Sequence, residues 1–326
     1  MHGEVRPLVT IGIPTYKRAD SYLRLALESA LAQTYPEIEV IVSDNCSPDH
    51  TQEVVRSFSD LRLRYFRQKE NIGPNNNFNF CLEQARGDYF LLLQDDDQID
   101  SDFVATCMEA ANYATDVGII RTGTRVIDEE GNILWEKPNR VGGLSTTEFF
   151  RGWFRGKTSP YLCSTIFNTR RLKEIGGFRS PNNLFQDVTA EFQLAARFGR
   201  VDVLDVKASF RKHGSEMTFS AKVHHWCEDS RYLLDLMCEL VGEEDALVIR
   251  REGRLFFSRF NYNLARGIPS PLERWATYWM IYRTFDYQYP PFYFYVYRKN
   301  LRKARRAARR VKRFLYTLVS PASPSV

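Results

Sequence analysis

Three consecutive aspartates, Asp95, Asp96 and Asp97, are the side chains of this sequence that most clearly suggest chemistry. They follow the apolar residues 89–93, which predict a buried strand. The acids are therefore expected at the carboxyl end of that strand, where open α/β sheets bind ligands. Three adjacent carboxylates repel one another, and a divalent cation would relieve the repulsion. Oxygen ligands suit Mg²⁺ or Mn²⁺, although an acidic run alone is more often an ordinary loop.

Polar side chains also follow the three strands predicted earlier in the chain, at residues 9–13, 38–42 and 63–66. The carboxyl ends of parallel strands meet at one edge of a sheet, so these side chains are expected to line the same cleft as the acids. The candidates after the three strands are Thr15, Tyr16, Arg18, Asp44, Asn71 and Gly73.

Strand and helix patterns alternate up to residue 93, which predicts a parallel, doubly wound sheet with right-handed crossovers. The pattern then changes. Further strands are predicted at 117–121 and 162–167, two strands joined by a turn at 128–132, and helices at 170–175 and 187–198. Helical patterns dominate from residue 222 to 266.

Several classes of protein are poor fits to these patterns. No GxGxxG or GKS/T loop is visible, and no local motif suggests a Ser-His-Asp or Cys-His arrangement. The six cysteines form no CxxC pair, which favours reduced thiols in a cytoplasmic protein. Residues 1–7 lack an apolar signal core, and no apolar run is long enough to span a bilayer.

Charge is unevenly distributed along the chain. Residues 298–313 contain ten Lys or Arg and no acid, whereas the remainder has 35 basic and 40 acidic residues. Apolar residues recur every three or four positions within this basic tail, which predicts an amphipathic helix. We expect the tail to bind an anionic membrane surface, with packing on the protein body as the alternative. No specific nucleic-acid recognition motif accompanies it.

Six segments, in order, resemble the family 2 glycosyltransferases, inverting sugar transferases with the GT-A fold. The resemblance covers roughly residues 8–220. The segments are IPTYKR at 13–18, VSDNCSPD at 42–49, NIGPNNN at 71–77, GDY with QDDD at 87–97, GGF with QD at 176–187, and RKHGS at 211–215.

The resemblance implies an α/β GT-A fold with a mainly parallel, doubly wound sheet and a C-terminal helical extension. The implied glycosyltransferase domain covers residues 1–220, with a nucleotide half at about 8–100 and an acceptor half at about 101–220. Residues 221–297 form a helical and aromatic extension, and residues 298–326 form the basic tail.

The resemblance also assigns roles in donor binding. Thr15, Tyr16 and Arg18 line the nucleotide base, and Asp44 accepts a hydrogen bond from N3–H of uracil or thymine. Asp44 could equally be a turn-forming residue. Asn71 and Gly73 begin a loop that lets the backbone approach the nucleotide.

Metal binding is assigned to the acidic run and to a histidine. Asp95 contacts the ribose or a metal-bound water, Asp96 contacts the sugar or solvent, and Asp97 is the direct ligand of Mg²⁺ or Mn²⁺. His213 corresponds to a family histidine near the metal, although a lone His in a basic segment is more often a surface residue.

Asp187 is the candidate general base. It begins a predicted helix, where the helix dipole stabilises a carboxylate. A helix-capping Asp without chemistry is the alternative. The sequence departs from the family here, because Gln186 stands where the usual Glu-Asp pair has its first acid.

These assignments predict a metal-dependent, inverting enzyme that moves a sugar from a UDP- or dTDP-sugar to a glycan acceptor, possibly lipid-linked. Its expected place is the cytoplasmic face of a membrane, in surface polysaccharide assembly. The alternatives are a sugar nucleotidyltransferase and a catalytically inactive relative that binds glycans or membranes.

Overall fold

The computed structural model describes residues 6–214 and 221–293. Its first 87 described residues alternate strands and helices, as the sequence predicts. Strands β1 and β2 are buried along their whole length, which is typical of strands covered on both faces. The elements are β1 (Val9–Thr15), α1 (Leu23–Leu31), β2 (Ile38–Asp44), α2 (Thr51–Arg56), β3 (Leu63–Arg67), α3 (Pro74–Gln84) and β4 (Tyr89–Leu92).

The remaining elements mix short strands with helices, and the last three elements are helices. They are β5 (Gln98–Ile99), α4 (Phe103–Ala110), β6 (Ile119–Ile127), β7 (Ile133–Lys137), α5 (Thr146–Phe154), β8 (Thr165–Asn168), α6 (Thr169–Glu174), α7 (Gln186–Phe198), β9 (Arg200–Arg211), α8 (Val223–Glu239), α9 (Glu243–Ala265) and α10 (Pro271–Thr284).

Within the described residues, nine strands form one sheet in the order β3-β2-β1-β4-β8-β6-β9-β5, with β7 paired to β6. Strands β1 to β4 are mutually parallel. Strand β8 is antiparallel to both of its neighbours, β4 and β6. The α/β fold with C-terminal helices is confirmed, and the sheet is parallel from β1 to β4 but mixed beyond β4.

The sequence patterns missed α4, α5 and the long strand β9. Charged and apolar residues are interspersed along β9, and its pairing with β6 shifts register on both sides of Gly123. A Cβ on Gly123 would lie only 2.7 Å from the carbonyl oxygen of Lys137, so β7 and β6 could not approach so closely with a larger residue. Strand β9 matters for the site because it ends at Arg211, next to His213.

The chain forms two compact units, Met1–Gly253 and Arg254–Val326. Helix α8 lies in the first unit, beyond the boundary near residue 220 that the sequence predicts for the catalytic domain. In residues 6–214 and 221–293, no helix combines the length and apolar character needed to cross a bilayer.

The buried carboxylate of Asp229, on α8, fixes the loop that precedes α7. Its Oδ2 accepts hydrogen bonds from Ser180 Oγ at 2.5 Å and from Leu184 N at 2.9 Å. Its Oδ1 accepts from Asn182 N at 2.8 Å. The side chain is fully shielded from water. Removing it would leave several buried donors of this loop without an acceptor.

We expect Asp229→Ala to lower the free energy of unfolding by about 3 kcal/mol, because buried charge-assisted hydrogen bonds are lost. The matched control is Asp235→Ala on the same helix, whose ion pair with Arg250 is about half exposed. That change should cost less than about 1 kcal/mol. Urea denaturation of both variants makes the comparison, and equal losses would show that Asp229 does not hold the loop.

Candidate functional site

The three aspartates that follow β4 differ in how much of each one is exposed to water. The chain continues the ladder through Leu93, whose N–H donates to Gly12 O at 2.9 Å, and then turns. The side chains of Asp95 and Asp96 keep 13% and 14% of their exposure. Asp97 keeps only 2% as a residue and points into the protein. The first two acids are therefore the ones that line the edge of the sheet.

Asp96 and His213 meet at this edge. His213 Nε2 lies 2.8 Å from Asp96 Oδ2. Arg18, just beyond β1, lies 3.7 Å from Asp96 and 3.8 Å from Asp95. Tyr16 N donates to Asp95 Oδ2 at 3.4 Å. The structure thus brings together Tyr16, Arg18, Asp95, Asp96 and His213 from three separate segments.

The carboxylate of Asp97 has a protein partner that the sequence patterns do not reveal. Its Oδ1 accepts a hydrogen bond from the backbone N–H of Arg211 at 2.9 Å. Asp96, rather than Asp97, is the acid that contacts His213. Asp97 joins the acidic run to the end of β9.

Arg211, two residues before His213, holds the end of β9 against neighbouring segments. Its Nε donates to Asp96 O at 3.0 Å, and its two terminal nitrogens donate to Asp128 O and Gln98 Oε1. The guanidinium also lies over the ring of Tyr22, 4.5 Å from its centroid. Arg211 is buried and committed to these contacts, so it serves the architecture of the site.

Burial and repulsion from a neighbouring carboxylate raise the pKa values of Asp95 and Asp97. Burial, and then the neighbouring Asp96, raise the pKa of Asp95 to about 7. The same two causes, in the same order, raise the pKa of Asp97 well above its usual range. A positive charge placed beside these carboxylates would favour their ionised forms. The cluster is therefore suited to bind a cation.

Asp44 is fully buried and holds the turn after β2. Its Oδ1 accepts from Ser47 N at 2.8 Å, and its Oδ2 accepts from Tyr65 Oη at 2.7 Å. These contacts match the turn-forming role that the sequence allowed. Each carboxylate oxygen can accept more than one hydrogen bond, so a contact with a nucleotide base stays a prediction.

Asn45 links the second and third candidate segments, and the sequence patterns did not select it as a site residue. Its Nδ2 donates to Asn71 Oδ1 at 3.0 Å, and its Oδ1 accepts from Ile72 N at 2.8 Å. Gly73 then adopts φ +82°, and no atom lies within 4 Å of a Cβ built there. The signal that could have found Asn45 is its short amide side chain directly after Asp44 at a strand end.

Asp187 lies in the first turn of α7, where its Oδ1 accepts from Val188 N at 2.8 Å. It is partly exposed, and burial of its carboxyl raises its pKa to about 6. The oxygen of the neighbouring Gln186 side chain has no hydrogen-bond partner within the described residues. Gln186 carries no charge beside the base candidate Asp187, and the raised pKa of Asp187 lies near the range in which general bases work.

One turn later on α7, Glu191 belongs to a buried ion pair that the sequence patterns did not reveal. Its Oε1 lies 3.1 Å from Nε of Arg121, and the Arg121 side chain has no exposure to water. Burial raises the pKa of Glu191 to about 7. Glu191 is shielded and already paired, so Asp187 is the better-placed base on this helix.

Comparison with known proteins gives the family of the chain. A sequence model of glycosyl transferase family 2 matches residues 10–176, half of the chain. The chain belongs to glycosyl transferase family 2. The match extends from β1 through the acidic run to α6 and ends ten residues before α7.

Three similar proteins illustrate the family and the fold. GalNAc(5)-diNAcBac-PP-undecaprenol beta-1,3-glucosyltransferase of Campylobacter jejuni is 31% identical over 177 residues, 52% of this chain and 55% of that protein. The chain spans about half the length of the curated relatives it matches. The crystal structure of S. aureus TarS 1-349 with UDP-GlcNAc superposes with a TM-score of 0.66 and 18% identity, over 85% of this chain and 81% of that one.

The mannosyltransferase PcManGT of Pyrobaculum calidifontis, in complex with GDP-Man and Mn²⁺, superposes with a TM-score of 0.51 and 17% identity, over 84% of this chain and 79% of that one. Because both sequence identities are low, the two superpositions establish the GT-A fold alone.

We expect Arg211→Lys to lower the free energy of unfolding by about 2 to 3 kcal/mol, because a single ammonium cannot replace the divergent hydrogen bonds of the guanidinium. The control is Lys212→Met at the adjacent, exposed position. It should change stability by less than about 0.5 kcal/mol. Chemical denaturation measures both, and similar values for the two variants would refute the anchoring role of Arg211.

Proposed function

We propose that the chain is a metal-dependent, inverting glycosyltransferase that moves a sugar from a UDP- or dTDP-sugar to a hydroxyl of a glycan. The observation that carries the proposal is the 2.8 Å contact between Asp96 and His213, beside Arg18, at the carboxyl end of the parallel strands. Family membership argues against the nucleotidyltransferase alternative.

Donor binding falls to the residues around the acidic run. Tyr16 is 38% exposed and offers a ring face to the base, beside Thr15 and Arg18. Asp95 would accept hydrogen bonds from the ribose. Asp44 would select uracil or thymine through its remaining lone pairs, and the loop from Asn71 to Gly73 would bring backbone N–H groups to the nucleotide. The TarS complex holds UDP-GlcNAc, which supports a UDP-sugar as donor.

A divalent cation fits this site only with ligands from the donor. Residues 6–214 and 221–293 contain no group of three or more His, Cys, Asp or Glu side chains that could hold a metal ion. Mg²⁺ needs only one or two protein ligands when substrate phosphates and water supply the rest. Asp96 and His213 would bind the ion. Asp97 would join the turn that carries Asp96 to the end of β9 through its hydrogen bond with Arg211 N. The bound ion would stabilise the negative charge of the departing nucleoside diphosphate.

Asp187 would act as the general base. Its carboxylate would take the proton from the acceptor hydroxyl while that oxygen attacks the anomeric carbon opposite the leaving diphosphate, which inverts the configuration. A pKa of about 6 leaves most of this carboxyl ionised at neutral pH while keeping it basic enough to accept a proton.

The acceptor is expected to be a growing glycan, possibly linked to a lipid as in the name of the Campylobacter jejuni relative. A cavity of about 570 Å³ lies between helix α3 and the loop that leads to α7. Asparagine amides, an arginine and an aromatic ring suit hydroxyl-rich ligands. Its polar lining includes Asn75, Asn76, Arg179 and Asn183.

Attachment to the cytoplasmic face of a membrane belongs to the same proposal. The basic tail, residues 298–313, lies outside the described residues, and its role rests on its ten positive charges. Each Lys or Arg near an anionic surface contributes roughly 1 kcal/mol. Surface polysaccharide assembly on a lipid carrier would place the acceptor at this membrane.

We expect Asp96→Asn to abolish the part of UDP affinity that depends on Mn²⁺, because an amide is a far weaker ligand than a carboxylate. Asp97→Asn is the matched variant: its amide oxygen can still accept the hydrogen bond from Arg211, so the metal dependence should survive. Isothermal calorimetry with UDP, with and without Mn²⁺, measures both. If only Asp97→Asn loses the Mn²⁺ dependence of UDP affinity, Asp97 is the metal ligand, as the sequence predicts.

We expect turnover to fall about tenfold per pH unit below pH 6, because protonation removes the base form of Asp187. Asp187→Asn should retain UDP binding and lose about a hundred- to ten-thousand-fold in transfer rate. Glu174→Gln, which changes an exposed acid on α6, is the control and should retain an acid limb near pH 6. A near-normal rate in Asp187→Asn would make Asp187 a helix cap and would revive the inactive-relative alternative.

A further inference from the structure

Helix α10, in the second unit, presents a row of large apolar side chains to water. Leu272, Trp275 and Trp279 are 83%, 66% and 63% exposed. Their spacing of three and four residues places them on one side of the helix. Tyr287 is 52% exposed and extends the row, with its ring centroid 6.3 Å from that of Trp279. We call these four side chains the aromatic face.

The aromatic face differs from ordinary surface exposure. Single exposed apolar residues are common, but contiguous apolar patches on a soluble surface usually mark an interaction site. Two of the five tryptophans of the chain lie here, and each exposes more than half of its surface. Tryptophan is enriched where one side of a helix contacts lipid and the other contacts water.

The two units of the chain differ in the sign of their net charge. Residues 254–326 contain fifteen Lys or Arg and two acids, Glu273 and Asp286. Residues 1–253 contain 30 Lys or Arg and 38 acids. Asp286 is paired with Arg254 inside the second unit. The unit that carries the aromatic face is therefore strongly positive, and the unit that carries the acidic run is negative.

We propose that α10 lies in the interfacial layer of an anionic lipid bilayer, with the aromatic face inserted among the acyl chains and glycerol groups. Arg283 is exposed four residues after Trp279 and would reach lipid phosphates from the edge of that face. Trp and Leu on one face of a helix, with basic residues elsewhere in the same unit, suit such binding.

The aromatic face is what distinguishes a membrane from a nucleic acid as the partner. Both partners carry phosphates and would attract fifteen basic residues. Leu272 and the two tryptophans gain little beside a sugar-phosphate backbone, whereas burial in a bilayer removes their apolar surface from water. The proposal extends the membrane attachment of the basic tail to a defined helix, and it requires neither the donor nor the metal.

The test uses the full chain and vesicles of phosphatidylglycerol and phosphatidylcholine, with pure phosphatidylcholine for comparison. The double variant Trp275→Ser/Trp279→Ser should lower the partition coefficient on anionic vesicles by about tenfold or more. The matched control is Trp135→Ser, which also removes a partly exposed tryptophan, from β7 in the first unit. It should stay within about twofold of the unmodified chain.

Brominated lipids provide a second measurement that needs no variant. Bromine quenches tryptophan fluorescence only at short range, so vesicles brominated near the glycerol end of the acyl chains should quench the unmodified chain. The residual quenching of the double variant should be small. Unchanged UDP binding and thermal unfolding would show that the first unit of each variant is intact.

Equal partitioning of all three proteins, or the absence of quenching in the unmodified chain, would overturn the proposal. Binding to duplex RNA without binding to vesicles would also overturn it. If the emission that the double variant loses is already blue-shifted without vesicles, another segment of the chain covers the aromatic face, and this result would also overturn the proposal. None of these measurements involves sugar transfer, so their failure would leave the proposed glycosyltransferase activity standing.

Discussion

Repulsion among Asp95, Asp96 and Asp97 is the constraint around which the rest of the site is arranged. The three carboxylates follow a buried strand and have little contact with water, so each one raises the free energy of ionising its neighbours. Positive groups and hydrogen-bond donors from distant segments offset this repulsion. Arg18 approaches from the end of β1, and the backbone of Arg211 and the ring of His213 approach from the end of β9.

The mixed second half of the sheet makes that arrangement possible. Strand β8 lies antiparallel between β4 and β6, and β9 runs parallel to β6 on its other side. Arg211 therefore ends β9 close to the turn that carries the acids, although 114 residues separate it from Asp97. The same half of the sheet packs against α7, whose preceding loop is held by Asp229. The contact between Asp96 and His213 and the base candidate thus depend on one framework.

Much of the region from β1 to β4 could be predicted from sequence, because its strands are largely apolar and each ends in a recognisable polar segment. Beyond β4, the sequence patterns indicated β6, β8, α6 and α7 but not α4, α5 or β9. Strand β9 intersperses charged and apolar residues, and neither the 3.1 Å pair of Arg121 with Glu191 nor the role of Asp229 leaves a local pattern. Local spacing also could not decide which of three adjacent aspartates contacts His213, since that depends on how the chain turns after Leu93.

The crystal structure of the protein soaked with UDP and Mn²⁺, with anomalous scattering measured at the manganese edge, tests the central claim most directly. We expect one anomalous peak bound by Asp96, by His213 and by the diphosphate, with Asp97 still accepting its hydrogen bond from Arg211. A peak bound by Asp97 after its carboxylate has turned away from Arg211, or a bound diphosphate with no peak beside it, would refute metal binding by Asp96 and His213.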